Sequence, residues 1–261
     1  MITTGTNATG GTSLPLVRRF EAAGFRAWPA ASVHYDGTWV VRLNAGHPAK
    51  RLNSVNPLDP GDVQNIEERV ERAARWFEAY GRAPTFRLSP LSGRPISDYL
   101  DSQNWQTMSE SLVMRANLDD LPVDNAILQI PLKDIGRFIN AAMAVHAIDP
   151  ALRPGLTEII SSIHAEAGLF VLEDQGTPLA TAVCVHDGDL AGLFEIATGP
   201  RERGKGYGRR VVLSALRWAR LRGAQQAWLQ VEADNAPALR LYNAIGFSEV
   251  YRYHYRRPPG A

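Results

Sequence analysis

A single cysteine, Cys184, occurs in the 261 residues, which excludes an intrachain disulfide framework and any site built on several thiolates. It sits in an apolar, strand-like run and reads as a small core residue; such sparing use of cysteine fits a reducing cytoplasm, the expected location. No uninterrupted apolar run approaches the roughly 18 residues that a bilayer span needs, so no membrane partner is expected. Residues 1–12 are rich in Thr and Gly and lack a basic segment followed by an apolar one; a disordered start without a signal peptide is expected there. Excess charge is missing too. With 28 Lys and Arg against 27 Asp and Glu, the net charge of +1 gives no bulk reason to expect nucleic acid as a partner. His146, His164 and His186 stand at no ligand spacing to other donors, so each reads as a surface or capping residue and no metal site is expected.

What remains is an ordinary globular composition, 45% hydrophobic and 21% charged, long enough for two modest domains acting as a monomer or homodimer. Leu14, Val17, Phe20 and Phe25 suggest a short helix, and Ser32 to Leu43 a hairpin around Asp36-Gly37. A helix is predicted over Asp62–Tyr80, a strand over Thr85–Leu88, a short helix over Ile96–Leu100 and a strand over Ser111–Arg115. The acids, proline and turn formers after Asn117 read as a linker. Beyond it come helices over Lys133–Ile148 and Leu156–Ala167, broken at Arg153-Pro154-Gly155, then strands over Leu169–Leu172, Leu179–Val185 and Leu190–Ala197. A helix from Gly206 to about Arg222, a strand over Ala227–Val231, a helix over Pro237–Ala244 and a strand over Glu249–Tyr255 complete the chain. The two halves repeat the order long helix, strand, short helix, closing strand, which points to a tandem fold. Where the second half has glycines, the first has Ser54 to Gly61, whose two prolines and Asp59 disfavour an anion.

That glycine segment, Arg203-Gly204-Lys205-Gly206-Tyr207-Gly208-Arg209, runs from a strand into a helix. Glycines remove side chains where backbone N–H groups meet an anion, and the helix start adds its unsatisfied donors and dipole. Arg209 and Arg210 oppose that dipole, which makes sense beside a bound polyanion. The spacing falls one residue short of the dinucleotide fingerprint, though Glu232 at the end of the next strand keeps a ribose-binding reading open. No Lys-Ser or Lys-Thr follows, which disfavours a nucleoside triphosphate loop.

The run Arg203 to Gly208 also matches Arg/Gln-x-x-Gly-x-Gly/Ala, and Asn235 to Phe247 matches Asn-x-x-Ala-x-x-Leu-Tyr-x-x-x-Gly-Phe. Together they resemble the GNAT superfamily of acetyl-CoA-dependent N-acetyltransferases. The resemblance covers roughly residues 126–261; the first half resembles a degenerate second copy, as in tandem GNAT proteins such as mycothiol synthase. It implies an α/β (α+β) fold of two GNAT-like domains, 13–120 degenerate and 126–261 catalytic, each a mixed, mostly antiparallel twisted sheet flanked by helices. It further implies that the backbone of Ile196, Ala197 and Thr198 bonds the pantetheine arm, and that Arg203, Gly204, Lys205, Gly206, Tyr207, Gly208 and Arg209 receive the pyrophosphate. Asn235 would touch the cofactor arm, and Tyr242 would protonate the departing thiolate, being itself protonated at neutral pH. The acceptor implied is a small-molecule primary amine, with a peptide amine or a non-catalytic CoA sensor as alternatives. Glu195, a carboxylate in an apolar strand, is either the base or a structural group paired with an arginine or facing solvent. Tyr251, Tyr253 and Tyr255 alternate on one face and either line the acceptor pocket or pack.

Overall fold

Apolar residues every three to four positions form the helix α1 (Leu14–Ala27), whose Val17, Phe20 and Ala23 are buried. The structure, a computed structural model, describes residues 13–260; the disordered start expected over 1–12 lies outside the described residues. After α1 come the hairpin β1 (Ser32–Asp36) and β2 (Trp39–Leu43), then β3 (Ser54–Pro57), α2 (Ile66–Glu78), β4 (Phe86–Leu88), α3 (Arg94–Ser102) and β5 (Gln106–Asn117). The second half contains α4 (Ile135–His146), α5 (Arg153–Ser161), β6 (Glu166–Asp174), β7 (Thr177–Asp187), β8 (Leu190–Thr198), α6 (Tyr207–Arg220), β9 (Gln226–Glu232), α7 (Ala236–Ile245) and β10 (Ser248–Arg257). No helix among the described residues is long and apolar enough to cross a membrane.

One sheet takes the place of the two expected. Its order is β1-β2-β3-β4-β10-β5-β9-β8-β7-β6. Each half builds the same series, two antiparallel pairings and then a parallel one across a helical crossover, β3 with β4 and β8 with β9. The closing strands are exchanged. β10 lies antiparallel to β4, and β5 lies antiparallel to β9, pairing from Ser111 opposite Glu232 to Asn117 opposite Gln226. β5 and β10 also pair with each other, so hydrogen bonds run unbroken from one half to the other.

Strand alternation gives the sheet two apolar faces. Val113, Val183, Phe194, Trp228 and the tyrosines 251, 253 and 255 form one core with α1, α4 and α5. Their neighbours Leu112, Ala182, Leu193 and Leu229 pack beneath α6 and α7, while Trp39, Val41, Phe86 and Leu88 pack beneath α2 and α3. α1 therefore crosses between halves: Phe20 meets Trp228, Trp28 stacks on Phe194 at 5.1 Å, and Arg19 pairs with Asp189 in the β7–β8 turn.

Three local expectations are corrected. Ser54–Pro57 is a strand, with Pro57 at its end opposite Trp39, where a missing N–H costs least. The second helix starts at Ile66, because Asp62 instead anchors the hairpin: its carboxylate accepts from the Thr38 N–H at 2.8 Å and from Arg69 at 2.7 Å, which holds its pKa at about 2. Arg153-Pro154-Gly155 is the first turn of α5, a place that tolerates proline; α5 ends at Ser161 and β6 begins at Glu166.

Gly155 also fixes the first half against the second. A Cβ there would lie 2.0 Å from the Gly46 carbonyl oxygen. Gly155→Ala is expected to force the loop around Gly46 away at a cost of about 1–3 kcal/mol, the usual range for overpacking. A thermal melt unchanged from wild type would show that this contact constrains nothing.

Candidate active site

β8 and β9 pair only over Leu190–Leu193 and Gln226–Leu229, and beyond Leu193 the strands diverge. The divergence has a local cause. On its other edge β8 carries one extra residue between Phe194, opposite Val183, and Ala197, opposite Thr181. Glu195 takes up this bulge at φ +46, a left-handed conformation that costs a non-glycine residue of order 1 kcal/mol. Its carbonyl accepts from the Thr181 hydroxyl at 3.2 Å. The edge of Ile196, Ala197 and Thr198 toward β9 is left without a strand partner, and main-chain donors and acceptors there are open to a ligand.

A cavity of about 850 Å³ fills the divergence. Its wall contains Ile196, Ala197, Thr198, Arg203, Gly204, Gly206, Tyr207, Gly208, Arg209, Asn235 and Tyr242, so the structure gathers these sequence-predicted residues in one place. The loop geometry explains the glycines. Gly204 and Gly206 adopt φ +79 and +84 with open space where a Cβ would stand, so backbone conformation requires them and crowding does not. Gly208 has a different reason: a Cβ would approach the Thr198 hydroxyl at 3.1 Å.

The first bond inside α6 runs from Arg210 N to the Gly206 carbonyl, and no side chain caps the helix. The N–H groups of Tyr207, Gly208 and Arg209 thus point out of the helix start without a partner from its own ladder. Arg203 and Arg209 have no ion pair among the described residues, whereas Lys205 is held by Glu202 at 2.9 Å. Lys205 is therefore the one predicted loop cation committed within the protein, and it is absent from the cavity wall. An uncapped helix start, unpaired guanidinium groups and a free strand edge fit a pyrophosphate joined to an amide-bearing arm. Gly206→Val is expected to weaken CoA binding at least tenfold, since a β-branched residue resists positive φ and bends the loop. Calorimetry that returned the wild-type affinity would remove the pyrophosphate assignment.

Asn235 caps α7, its side-chain oxygen accepting from the Ala238 N–H at 3.2 Å, which leaves its amide nitrogen for a ligand. Tyr242 is 6% exposed and packs edge-on against Phe247. Its hydroxyl makes no hydrogen bond with another described residue, and burial pushes its pKa up to about 12. Glu195 pairs with no arginine; its polar neighbour is His146, whose Nε2 lies 3.8 Å from the carboxylate and 3.3 Å from the Glu195 carbonyl oxygen. The sequence reading of His146 as a surface or capping residue is thereby corrected. It stands in the last turn of α4, and its ring borders the cavity.

The opposite side of the site comes partly from the first half of the chain. A smaller cavity of about 220 Å³ is walled by Gln230, Val231 and Glu232 of β9, by Ser111 of β5, by Tyr253 and Tyr255 of β10, and by Ala49, Lys50 and Arg51. Tyr253 and Tyr255 pack in the core, as one of the two alternatives has it, and also line this cavity. Residues 49–51 carry no motif; their proximity to β9 is a product of the exchanged strands.

Comparison with known proteins agrees with this geometry. Residues 15–256 match the family described as "Probable histone acetyltransferase Rv0428c C-terminal". The chain is 28% identical over 247 residues to the uncharacterized N-acetyltransferase YobR of Bacillus subtilis (strain 168), a match covering 92% of this chain and 98% of that protein. A GCN5-related N-acetyltransferase from Kribbella flavida superposes with a TM-score of 0.71 over 97% of this chain and 98% of that one, at 17% identity, which speaks for the fold. A mycothiol acetyltransferase of Thermobispora bispora is 36% identical over 89 residues, only 31% of this chain and 30% of that protein. Likeness to mycothiol acetyltransferase is thus confined to a segment.

Proposed function

The chain belongs to the GNAT family of acyl-CoA-dependent N-acetyltransferases, and from that premise we propose that it moves an acetyl group from acetyl-CoA to a primary amine of a small molecule. The observation that carries the reading is the cavity where β8 leaves β9, with the open α6 start and the unbonded Tyr242 hydroxyl on its wall. In this reading the amine attacks the thioester carbonyl directly, the carbon–sulfur bond breaks, and Tyr242 gives its proton to the leaving thiolate. Glu195, with His146 beside it, takes the proton lost by the amine. Positioning of two substrates supplies much of the rate, so no covalent enzyme intermediate is needed.

The halves 13–120 and 126–261 are read as two GNAT-like units, of which only the second binds the donor. At the equivalent helix start of the first half, α2 carries Glu67 and Glu68 in its first turn, which repel an anion. The test is release of free thiol from acetyl-CoA with a panel of amines and N-terminal peptides. Turnover with small amines supports the proposal, turnover confined to peptides makes the chain a peptide acetyltransferase, and tight CoA binding with no turnover makes it a sensor.

A further inference from the structure

The charges around the smaller cavity do not balance. Lys50 donates to the Ser109 hydroxyl at 2.6 Å and lies over the Tyr255 ring, with no carboxylate in ion-pair range. The Arg51 guanidinium lies over the Trp28 ring at 5.7 Å and makes no hydrogen bond or ion pair with a described residue. Behind them a narrow recess shares Arg51 and Gln230 with this cavity and is bounded by Arg42 and Arg87. Arg87 is neutralised by Glu21, and that carboxylate also accepts from the Tyr251 hydroxyl at 2.6 Å. Arg42 is 3% exposed and donates only to the carbonyls of Arg51 and Trp28. Burial and the neighbouring Arg87 lower its pKa to about 9, the signature of a cation held without its own anion. Two cations, Lys50 and Arg51, thus stand against one acid on the cavity wall, the exposed Glu232, with Arg42 in the recess behind.

Glu195 has the opposite imbalance. Its carboxylate has no lysine or arginine partner, only His146. His47, in the loop that leads to Lys50, is half buried; burial lowers its pKa, Glu195 works against that shift, and Arg51 and Arg82 add to it. Its Nδ1 accepts from the Ala49 N–H at 3.2 Å, which fixes the loop that presents Lys50 and Arg51. Glu195 lies on β8 just past its last paired residue Leu193, and Arg51 lines a cavity with Gln230, Val231 and Glu232 of β9 just past Leu229, so the two charges belong to opposite sides of the split between these strands. A cavity of about 220 Å³ lies below the roughly 300–1,000 Å³ usual for drug-sized ligands, which sets the scale of what fits.

We propose that the acceptor is a small amine bearing an anionic group, a carboxylate or a phosphate, which Arg51 and Lys50 grip while the amino group faces Glu195. This rests on the acyl-transfer reading above. Guanidinium binds both anions through paired N–H donors, and the first half of the chain thereby acts as the specificity element of the site. A lysine-rich peptide or a polyamine would bring cations against Lys50 and Arg51.

The experiment measures binding to the CoA-saturated protein by calorimetry, and acetyl transfer in parallel, for β-alanine, 2-aminoethyl phosphate, propylamine, spermidine and a lysine-rich peptide. The expected result is that β-alanine or 2-aminoethyl phosphate exceeds propylamine at least about tenfold in affinity and in kcat/KM, the scale of one hydrogen-bonded charge. Whichever of the two binds more tightly identifies the anion. In Arg51→Gln the margin over propylamine collapses through KM, in Arg51→Lys part of it returns, and CoA affinity in both variants reports that the fold is intact. If Arg51→Gln fails to bind CoA, Lys50→Gln carries the same comparison. Binding of the anionic amines without acetyl transfer upholds this inference and overturns the acyl-transfer reading. Equal or better binding of propylamine, spermidine or the peptide, or a margin untouched in the variants, overturns the inference.

Discussion

Replacing Tyr242 with phenylalanine is expected to lower kcat by about 10²- to 10³-fold while leaving CoA affinity within twofold, the range for loss of a positioned general acid. The separation follows from the geometry. Donor affinity is assigned to the start of α6 and the edge of Ile196–Thr198, neither of which involves the phenol. The hydroxyl has no protein partner whose loss would disturb the fold, and the ring keeps its edge contact with Phe247. Stability should therefore change by less than about 0.5 kcal/mol, as for changes that leave no buried group unpaired. Only proton delivery is removed. With its pKa raised to about 12 by burial, Tyr242 stays protonated across the working range, so a loss of activity between pH 8 and 10 would have to arise elsewhere. The Tyr242→Phe variant should keep the shape of the wild-type pH profile over that range at a uniformly lower level. Thiol-release kinetics and calorimetry on the same samples decide the matter, and an unchanged kcat would remove Tyr242 as the acid.

The grouping of the glycine loop, Asn235 and Tyr242 on one cavity wall was legible because its determinants are local. Gly204 and Gly206 need positive φ, Asn235 caps the helix that carries Tyr242, and each signal falls within a few residues of the group it positions. Glu195 was visible as a carboxylate in an apolar strand, but its bulge was not, since the strain depends on the register with Thr181 and Val183 of β7. His146 was misjudged because a histidine in a last helical turn has the composition of a cap; only packing of α4 against β8 brings its ring to Glu195. The wall from Ala49 to Arg51 had no signal at all. It meets β9 only because β5 and β10 trade places, and those strands show the same alternation whichever partner they take. Strand pairing across more than a hundred residues is a tertiary choice, and the local pattern is silent about it.

That exchange has a consequence larger than any point substitution: a chain comprising residues 123–261 alone is expected not to fold, although it holds every residue proposed to bind the donor. Its β9 would lose the seven-residue pairing with β5, exposing backbone groups on a strand that carries Ala227, Leu229 and Val231 in the core. β10 would lose β4 and β5 together. Phe194 and Trp228, 4% and 1% exposed, would lose α1 with Phe20 and Trp28. At about 1.5–3 kcal/mol for each large apolar side chain returned to water, Phe194 and Trp228 together forfeit about 3–6 kcal/mol, a large part of the roughly 5–15 kcal/mol that separates a folded domain from its unfolded chain. Residues 1–122 would fare no better, since β4 pairs only briefly with β3 and depends on β10. Mixing the two fragments should restore the sheet, because each supplies the strand the other lacks. Circular dichroism and CoA binding of each fragment, and of the 1:1 mixture, test this directly. A cooperative melt and CoA binding by 123–261 alone would mean that β10 can fold back beside β9 in the place of β5, and that the exchange is a preference of the full chain and not a requirement of the fold.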